Sequence, residues 1–316
     1  MLLLSSMISA FLFIGGFEAV RNIQYHRWKA HFDNFGWFGR ITMPSPDPVL
    51  MWEYRPYGRI GLIKTNRHGF RDRDYDSVTK PAGAFRVAFA GDSVTLGIDM
   101  QLKQTFVRQF EVAANRNDPQ RRVQALNFGV DGYNAPQILQ MIRTKALAFS
   151  PDEVVYVMCL NDFDFEQSSG EKILYFRKPR SFFLSALEEA YQKLRGGDFH
   201  QYHYDRNKEI VLQSVLDMRK LVEGRGHRFQ VVVLPIFPAT FDDYPLREMH
   251  REIDAFLGQS GIRYLDLLEP FVRSGRRPRF WAYDVWHPNA NGHRFIAQHL
   301  LGAVLQETSV APTGAR

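Results

Sequence analysis

A serine in the first third of the chain and a histidine–carboxylate pair near its other end are the residues best suited to do chemistry together. Gly91-Asp92-Ser93 follows a mostly apolar run, and Asp284-Val285-Trp286-His287 lies close to the carboxyl terminus. A serine hydroxyl becomes a useful nucleophile when a base accepts its proton and a carboxylate orients that base. Asp284 can reach Nδ1 of His287 and leave Nε2 free for the Ser93 proton. These groups are the set needed for acyl transfer through a serine.

Two further residues could stabilise negative charge on a carbonyl oxygen under attack. Gly132 has no side chain, so its backbone N–H can approach a bound atom closely, and Asn161 offers a side-chain amide donor. Each also has a simpler interpretation, Gly132 as a turn residue and Asn161 as an amide that stabilises its own loop. Gly91-Asp92-Ser93 alone could likewise be a turn and a helix cap, and it is not the Gly-x-Ser-x-Gly elbow of α/β-hydrolases.

From residue 85 onward, short apolar runs alternate with amphipathic stretches, and this alternation would position the candidate residues. The runs predict strands buried on both faces, at residues 85–90, 123–128, 153–158, 229–234 and 262–266. The stretches between and after them predict helices at about residues 104–115, 135–148, 207–224, 246–258 and 291–306. Such a pattern is typical of a parallel sheet covered on both sides, with sites at the carboxyl ends of its strands. His293, inside the last helix, is predicted to be structural.

Two basic segments have open interpretations. Residues 163–205 are too long for a plain crossover, and Ser181 could cap an amphipathic helix within them that packs on the domain or forms a lid or membrane-surface contact. Four arginines cluster just before the histidine motif: Arg273, Arg276, Arg277 and Arg279. This cluster is either a solvated loop or a patch that steers an anionic substrate.

The amino terminus is apolar. Residues 1–17 carry no charged side chain, and Glu18 is the first charge. This length is at the short end of what spans a bilayer, and the basic start of a cleaved signal peptide is missing. We therefore predict an uncleaved membrane anchor, with a signal peptide or a buried helix as alternatives. The basic residues that follow would keep the chain in the cytoplasm by the positive-inside rule, whereas a start further upstream with a basic segment would reverse this.

Composition limits the class of protein. The 316 residues are 45% hydrophobic and carry a net charge of +6, so the chain can bury a core and favours anionic partners. No nucleic-acid-binding motif is present, and nucleic acid is not expected as a partner. Cys159 is the only cysteine, which excludes an intrachain disulfide, and it is predicted to be a small buried apolar residue.

These patterns predict four parts along the chain. They are a membrane anchor or signal segment at residues 1–20, a juxtamembrane segment and amino-terminal cap at 21–84, an α/β domain at 85–306 with an insert or lid at 163–205, and a flexible tail at 307–316.

The segments together resemble the SGNH (GDSL) hydrolase superfamily, membrane-anchored bacterial type, over roughly residues 85–306. Gly91-Asp92-Ser93 resembles its first block, Gly132 its second, Asn161-Asp162 its third and Asp284-x-x-His287 its fifth. Cys159 departs from the pattern, because the third block usually has glycine there. The resemblance implies a flavodoxin-like three-layer α/β/α sandwich with a five-stranded parallel sheet in the order 2-1-3-4-5. A looser resemblance links residues 66–72 to membrane-anchored bacterial members, often associated with surface polysaccharides.

The resemblance also implies roles and an activity. Ser93 would be the nucleophile, His287 the base and Asp284 its orienter, with an oxyanion hole formed by the N–H groups of Ser93 and Gly132 and the side chain of Asn161. We expect a serine esterase without metal or cofactor that removes a short acyl group, mainly O-acetyl, from a carbohydrate. Acyl transfer to a polysaccharide hydroxyl, lysophospholipid or thioester cleavage, and an inactive glycan-binding scaffold are the alternatives. We expect the protein in the bacterial inner membrane, with the catalytic domain outside the cytoplasm.

Overall fold

The computed structural model describes residues 2–35, 40–75, 78–163, 165, 178–195 and 199–305. The predicted tail at residues 307–316 and residues 166–177 of the predicted insert lie outside these ranges.

Helix α1, Leu2–Phe35, runs without interruption across the predicted boundary at residue 20. The sequence contains no proline until Pro44, and the Gly15-Gly16 pair costs helix stability without ending the helix. Within the described part of the chain, no helix combines the length and the mean hydropathy that crossing a membrane requires. The predicted membrane span is therefore not supported by the structure.

Two antiparallel strand pairs follow α1 and form the amino-terminal cap. They are β1, Thr42–Pro44, with β2, Trp52–Tyr54, and β3, Arg59–Ile60, with β4, Ile63–Lys64. The cap is fixed to the main domain by hydrogen bonds, because Tyr133 donates its hydroxyl to the Trp52 carbonyl and Asp131 donates its N–H to the Tyr54 hydroxyl over 3.1 Å.

The main domain is built on a five-stranded parallel sheet. Its strands are β5, Ala84–Gly91, β6, Arg122–Gly129, β7, Glu153–Cys159, β8, Arg228–Leu234, and β9, Arg263–Asp266. The spatial order is β6-β5-β7-β8-β9, which confirms the predicted order 2-1-3-4-5. Gly91 pairs with Gly129 on one side and Val157 on the other, so the carboxyl ends of β6, β5 and β7 are nearly level.

Helices cover both faces of this sheet. They are α2, Ser93–Leu96, α3, Phe106–Asn117, α4, Ala135–Thr144, α5, Phe182–Arg195, α6, Phe199–Glu223, α7, Arg247–Gln259, α8, Leu268–Arg273, and α9, Ala290–Leu305. Right-handed crossovers place α4, α6 and α7 on one face and α3 on the other, where α9 packs against α3. The predicted three-layer α/β/α sandwich is confirmed.

Sequence explains where these elements begin and why the sheet is buried. Every residue of β7 is buried, as expected for a central parallel strand, and this includes the charged Glu153. The Glu153 carboxylate is paired with Arg228 and, at 3.4 Å, with Arg263, which offsets the cost of burying a charge. Helix α4 begins with a capping box, in which Asn134 and Gln137 each bond the other's backbone N–H over 3.2 Å.

Candidate active site

Ser93 lies where β5 passes into α2, at the carboxyl edge of the sheet. Asp92 caps this short helix, since its Oδ1 accepts the Val94 N–H over 2.9 Å. The end of β6 packs directly against α2, and a Cβ on Gly129 would lie 2.1 Å from the Leu96 nitrogen. Glycine at position 129 is therefore required by the close approach of two backbones. The backbone that carries the Ser93 side chain is therefore fixed both by the Asp92 cap and by the packing of β6 against α2.

The structure brings the predicted serine, histidine and aspartate together. Ser93 Oγ lies 3.0 Å from His287 Nε2, and His287 Nδ1 lies 2.8 Å from Asp284 Oδ2. Asp284 Oδ1 also accepts the backbone N–H groups of Trp286 and His287, each over 2.7 Å. The carboxylate thus shapes the loop and orients the ring. The three groups form a line along which a proton can pass from the hydroxyl to the imidazole.

The surroundings favour the charged form of Asp284. Partial burial opposes ionisation, but hydrogen bonds from the His287 ring and from the N–H groups of His287 and Trp286 outweigh it and lower the pKa of Asp284. An ionised carboxylate fixes the proton on Nδ1 of His287. The remaining nitrogen, Nε2, is then the acceptor that faces Ser93.

Asn161 and Gly132 lie at the same sheet edge. Asn161 Nδ2 donates to Asp92 Oδ2 over 3.0 Å, and Ser93 Oγ lies 3.4 Å from that oxygen. The Asn161 amide, which carries a second N–H, is therefore held beside the serine. Gly132 is in a buried turn after β6 with φ of 76°, and the Val130 N–H donates to the Gly91 carbonyl over 3.0 Å, which holds this turn against β5.

Comparison with known proteins identifies the family to which this chain belongs. The model of the GDSL-like lipase/acylhydrolase family matches residues 89–295, which contain all five predicted site residues. The chain belongs to this family. Membership makes it a serine hydrolase that acts on ester bonds. No curated protein matches its sequence.

Solved structures of other proteins are similar to this GDSL-family chain at low identity. A lipolytic G-D-S-L family protein from Veillonella parvula is 16% identical, covering 71% of this chain and all of that one, with a TM-score of 0.46. A putative lipolytic protein of the same family from Desulfitobacterium hafniense is 13% identical, covering 69% of this chain and 99% of that one, with a TM-score of 0.45. A catalytic mutant of an acetylxylan esterase from Geobacillus stearothermophilus is 17% identical, covering 74% and 99%, with a TM-score of 0.47.

Residues that the sequence did not identify as functional support the backbone around the GDSL-family site. Arg71 is almost fully buried and donates to the carbonyl oxygens of Leu96, over 2.8 Å, and of Gly97 and Met100. Asp72 accepts the Asn127 N–H over 3.0 Å. Residues 66–72, noted above for a loose resemblance, thus tie the cap to α2 and β6. An arginine–aspartate pair ahead of the first strand was the available signal, but nothing in the sequence shows where it packs.

A second group of residues, whose contacts the sequence did not show, orders the turn that carries Asn161. Asp162 is fully buried, and its Oδ2 accepts the Tyr156 hydroxyl over 2.6 Å and the Cys159 N–H over 3.1 Å. Burial, and then the nearby Asp92, raise the pKa of Asp162. Cys159 is buried and its thiol lies 3.3 Å from Asp92 Oδ1. The two acids and the thiol form a polar cluster under the serine.

The histidine loop also has support from the sheet. The Phe237 N–H, just after β8, donates to the Val285 carbonyl over 2.7 Å. The neighbouring Ile236 N–H donates to the Tyr244 hydroxyl over 3.0 Å, and that hydroxyl lies 3.1 Å from His250 Nε2. His250 Nδ1 in turn lies 2.6 Å from Asp266 Oδ2. This aspartate–histidine–tyrosine chain, in which His250 and Tyr244 are buried, fixes the backbone against which Asp284 and His287 are held.

His293, predicted to be structural, is buried against α3. Its Nδ1 accepts the Phe106 N–H over 3.2 Å, and its ring stacks on the Phe106 ring with centroids 5.8 Å apart. Burial, and then the positive charge of Arg71, lower the pKa of His293 to about 3, so its ring stays neutral. His293 therefore serves as a hydrogen-bond acceptor for α3.

Replacing Asn161 with alanine should lower kcat for ester hydrolysis by about 10²–10³ with little change in KM, because the lost donor acts on charge that forms in the transition state. Steady-state kinetics with p-nitrophenyl acetate would measure this. Asn115→Ala, which removes an amide bonded to Val123 at the far end of β6, is the control for loss of a structural amide. A change in kcat below threefold in Asn161→Ala would show that the amide does not stabilise the transition state.

Proposed function

We propose that Ser93 is the nucleophile of an esterase that removes a short acyl group, mainly acetyl, from a carbohydrate. The observation that carries the proposal is the line from Ser93 Oγ to His287 Nε2, at 3.0 Å, and from His287 Nδ1 to Asp284, at 2.8 Å. Ser93 attacks the ester carbonyl while His287 accepts its proton. The imidazolium then protonates the departing alcohol, which leaves an acyl-serine.

Water completes the cycle. His287 removes a proton from a water molecule that attacks the acyl-serine, and then returns a proton to Ser93. In both halves of the reaction the carbonyl oxygen carries negative charge, and the N–H groups of Ser93 and Gly132 and the Asn161 amide are the donors assigned to it. Asp284 stays ionised and stabilises the imidazolium.

The openness of the site supports a small acyl group and hydrolysis. The side chains of His287 and Asp284 are 24% and 55% exposed. A long acyl chain needs an apolar enclosure, whereas a bulky, hydrated alcohol such as a carbohydrate fits an open rim. Exposure also gives water access to the acyl-serine, which favours hydrolysis over transfer to a second sugar hydroxyl.

An ester series tests this function. With p-nitrophenyl acetate, butyrate, octanoate and palmitate, kcat/KM should be highest for acetate and fall with chain length, and acetate should be released from acetylated xylan. A maximum at octanoate or palmitate would contradict the short-acyl assignment. Formation of acetylated glycan in preference to free acetate, when donor and acceptor sugars are both present, would identify a transferase instead.

We also propose that α1 and α5 together lie on a lipid surface. The two helices are joined, since Phe17 and Phe183 have ring centroids 5.8 Å apart. The Glu18 carboxylate accepts the Ser181 hydroxyl and the N–H groups of Phe182 and Phe183, at 2.5, 3.1 and 2.9 Å. These bonds, first the one from the Phe183 N–H, lower the pKa of Glu18, which therefore caps α5 from another helix.

The exposed surface of this helix pair supports the proposal. Large apolar side chains are exposed on both helices: Met7, Phe11, Leu12 and Phe13 on α1, and Leu184, Leu187 and Tyr191 on α5. Exposed cations follow or precede these apolar residues along the chain. They are Arg21 and Arg27 in α1, and Lys178 and Arg180 just before α5. An apolar surface bordered by cations is suited to a bilayer with anionic headgroups.

Replacing both Phe11 and Leu184 with serine should weaken partition onto vesicles of phosphatidylglycerol and phosphatidylcholine at least about tenfold, because each apolar side chain contributes on the order of 1.5–3 kcal/mol on burial. Co-sedimentation with vesicles would measure it. Tyr57→Ser, which removes an aromatic side chain that is 65% exposed between β2 and β3 of the cap, is the control. Unchanged partition of the double variant, or a change in oligomeric state alone, would exclude a lipid-facing surface.

A further inference from the structure

Three large apolar side chains are exposed immediately before the catalytic histidine. Phe280 is 40% exposed, Tyr283 is 61% exposed and Val285 is 41% exposed. Single exposed apolar residues are ordinary on a protein surface, but a group of them beside a catalytic residue indicates a binding surface. The segment that carries them is not used by the proton-transfer chemistry, apart from the Asp284 carboxylate.

This segment is held rigidly. The Phe280 carbonyl accepts the side-chain amides of Asn289 and Asn291, at 3.1 and 3.2 Å. The Tyr283 N–H donates to the His287 carbonyl over 2.9 Å, next to a β-bridge between Ala282 and Pro288. The aromatic rings are therefore presented on a preformed surface joined by backbone bonds to the catalytic histidine. A preformed surface loses little conformational entropy when it binds.

Cations accompany the rings. The Arg276 guanidinium lies over the Phe280 ring, 5.2 Å from its centroid, and Arg273, Arg277 and Arg279 are exposed on the same stretch. Within the described residues, these four arginines form no ion pair with a carboxylate. Asp284, the acid of this stretch, is bonded to His287 instead. No carboxylate among the described residues therefore neutralises the positive charge beside the site.

We propose that Phe280, Tyr283 and the arginines at 276, 277 and 279 bind the sugar units of an acidic polysaccharide whose ester is cleaved at Ser93. Aromatic faces accept weak C–H contacts from the apolar face of a pyranose ring. Guanidinium groups bind carboxylates through paired N–H donors, and Arg276 also stacks on an aromatic ring. The ligand class is thus a carboxylate-bearing, O-acylated glycan. This assignment rests on the proposed esterase function and specifies its substrate.

Binding and turnover test the two proposals separately. Oligogalacturonides without acyl groups should bind the full-length protein at least about tenfold more tightly than cello-oligosaccharides of the same length, measured by titration calorimetry at low salt. The triple variant with Arg276, Arg277 and Arg279 changed to glutamine should lose this preference. Tyr283→Ala should weaken the binding of both oligosaccharides by a similar factor. Arg225→Gln, an exposed arginine in the turn after α6, is the matched control.

The outcomes are distinct. Equal affinity of the unaltered protein for acidic and neutral oligosaccharides, or an acidic preference that survives in the triple variant, would overturn the acidic-glycan assignment whatever the enzymatic result. Absence of p-nitrophenyl acetate hydrolysis would overturn the esterase proposal even if oligogalacturonide bound. If the triple variant loses both the binding preference and the helical circular dichroism signal, Arg276→Gln alone is tested in its place. This single variant should lower the preference for the acidic ligand at least about threefold.

Discussion

Replacing Ser93 with alanine is expected to lower kcat/KM for p-nitrophenyl acetate by at least about 10³-fold. The hydroxyl is the nucleophile in the proposed mechanism, so without it only transition-state stabilisation by the remaining site would persist. Steady-state kinetics would measure the loss. A fluorophosphonate probe should label the unaltered protein at Ser93 and leave the alanine variant unlabelled, because the probe reacts with an activated serine.

The matched control is Ser185→Ala, which removes an exposed α5 hydroxyl that donates to the Ser181 carbonyl just before this helix. This control should retain activity and labelling. Retention of activity by Ser93→Ala above one-tenth of the original, or labelling of a different serine, would contradict the assignment of the nucleophile. Parallel loss in His287→Ala would show that both residues belong to one proton-transfer line.

Replacing Arg71 with methionine should lower the free energy of unfolding by at least about 3 kcal/mol. Methionine fills much of the space but donates no hydrogen bond, so the carbonyls of Leu96, Gly97 and Met100 lose their buried donor. An unsatisfied buried polar group costs about 1–3 kcal/mol. Because Leu96 and Gly97 close the turn that carries Ser93, kcat should fall as well. Chemical denaturation with urea, at comparable m-values, would measure the stability change.

Arg67→Met provides the comparison for Arg71. Arg67 is close in sequence and about half exposed, and its ion pair with Asp74 is 3.8 Å long. Its removal should change stability by less than about 0.5 kcal/mol. Arg71→Lys keeps the charge without the forked donors. Its loss in the free energy of unfolding should therefore lie between those of Arg67→Met and Arg71→Met. A change below 1 kcal/mol for Arg71→Met would show that the carbonyls find other partners.

The sequence predicted the sheet and the reacting groups because both leave strong local patterns. Runs of apolar residues marked all five strands to within a residue or two, since strands buried on both faces tolerate few polar residues. Ser93 and Asn161 stood out because polar residues with catalytic potential follow such runs, and His287 stood out because the carboxylate of Asp284 lies three residues before it. Their meeting at one edge follows from the strand order, which came from the family resemblance.

Other features could not be predicted because they depend on contacts between distant segments. Arg71 looks like any surface arginine until residues 66–72 are known to cross behind α2. By sequence Asp92 could be a simple turn residue, but its carboxylate accepts hydrogen bonds from the Val94 N–H, the Asn161 amide and the Cys159 thiol. Glu18 is the first charged residue of the predicted anchor segment, yet it belongs to a continuous α1 and caps α5. Each of these roles requires a partner more than twenty residues away or in another element.

Asp284 and His287 occupy a single short loop, whereas Ser93 is carried by the sheet. The acid and the base should therefore leave or rejoin the serine as one unit. A local opening that breaks the Ala282–Pro288 bridge and the Phe237–Val285 bond would disconnect both at once without unfolding the sheet. Amide hydrogen exchange of this loop would then report the fraction of molecules that are switched off, and the inactivation temperature could lie below the melting temperature of the domain.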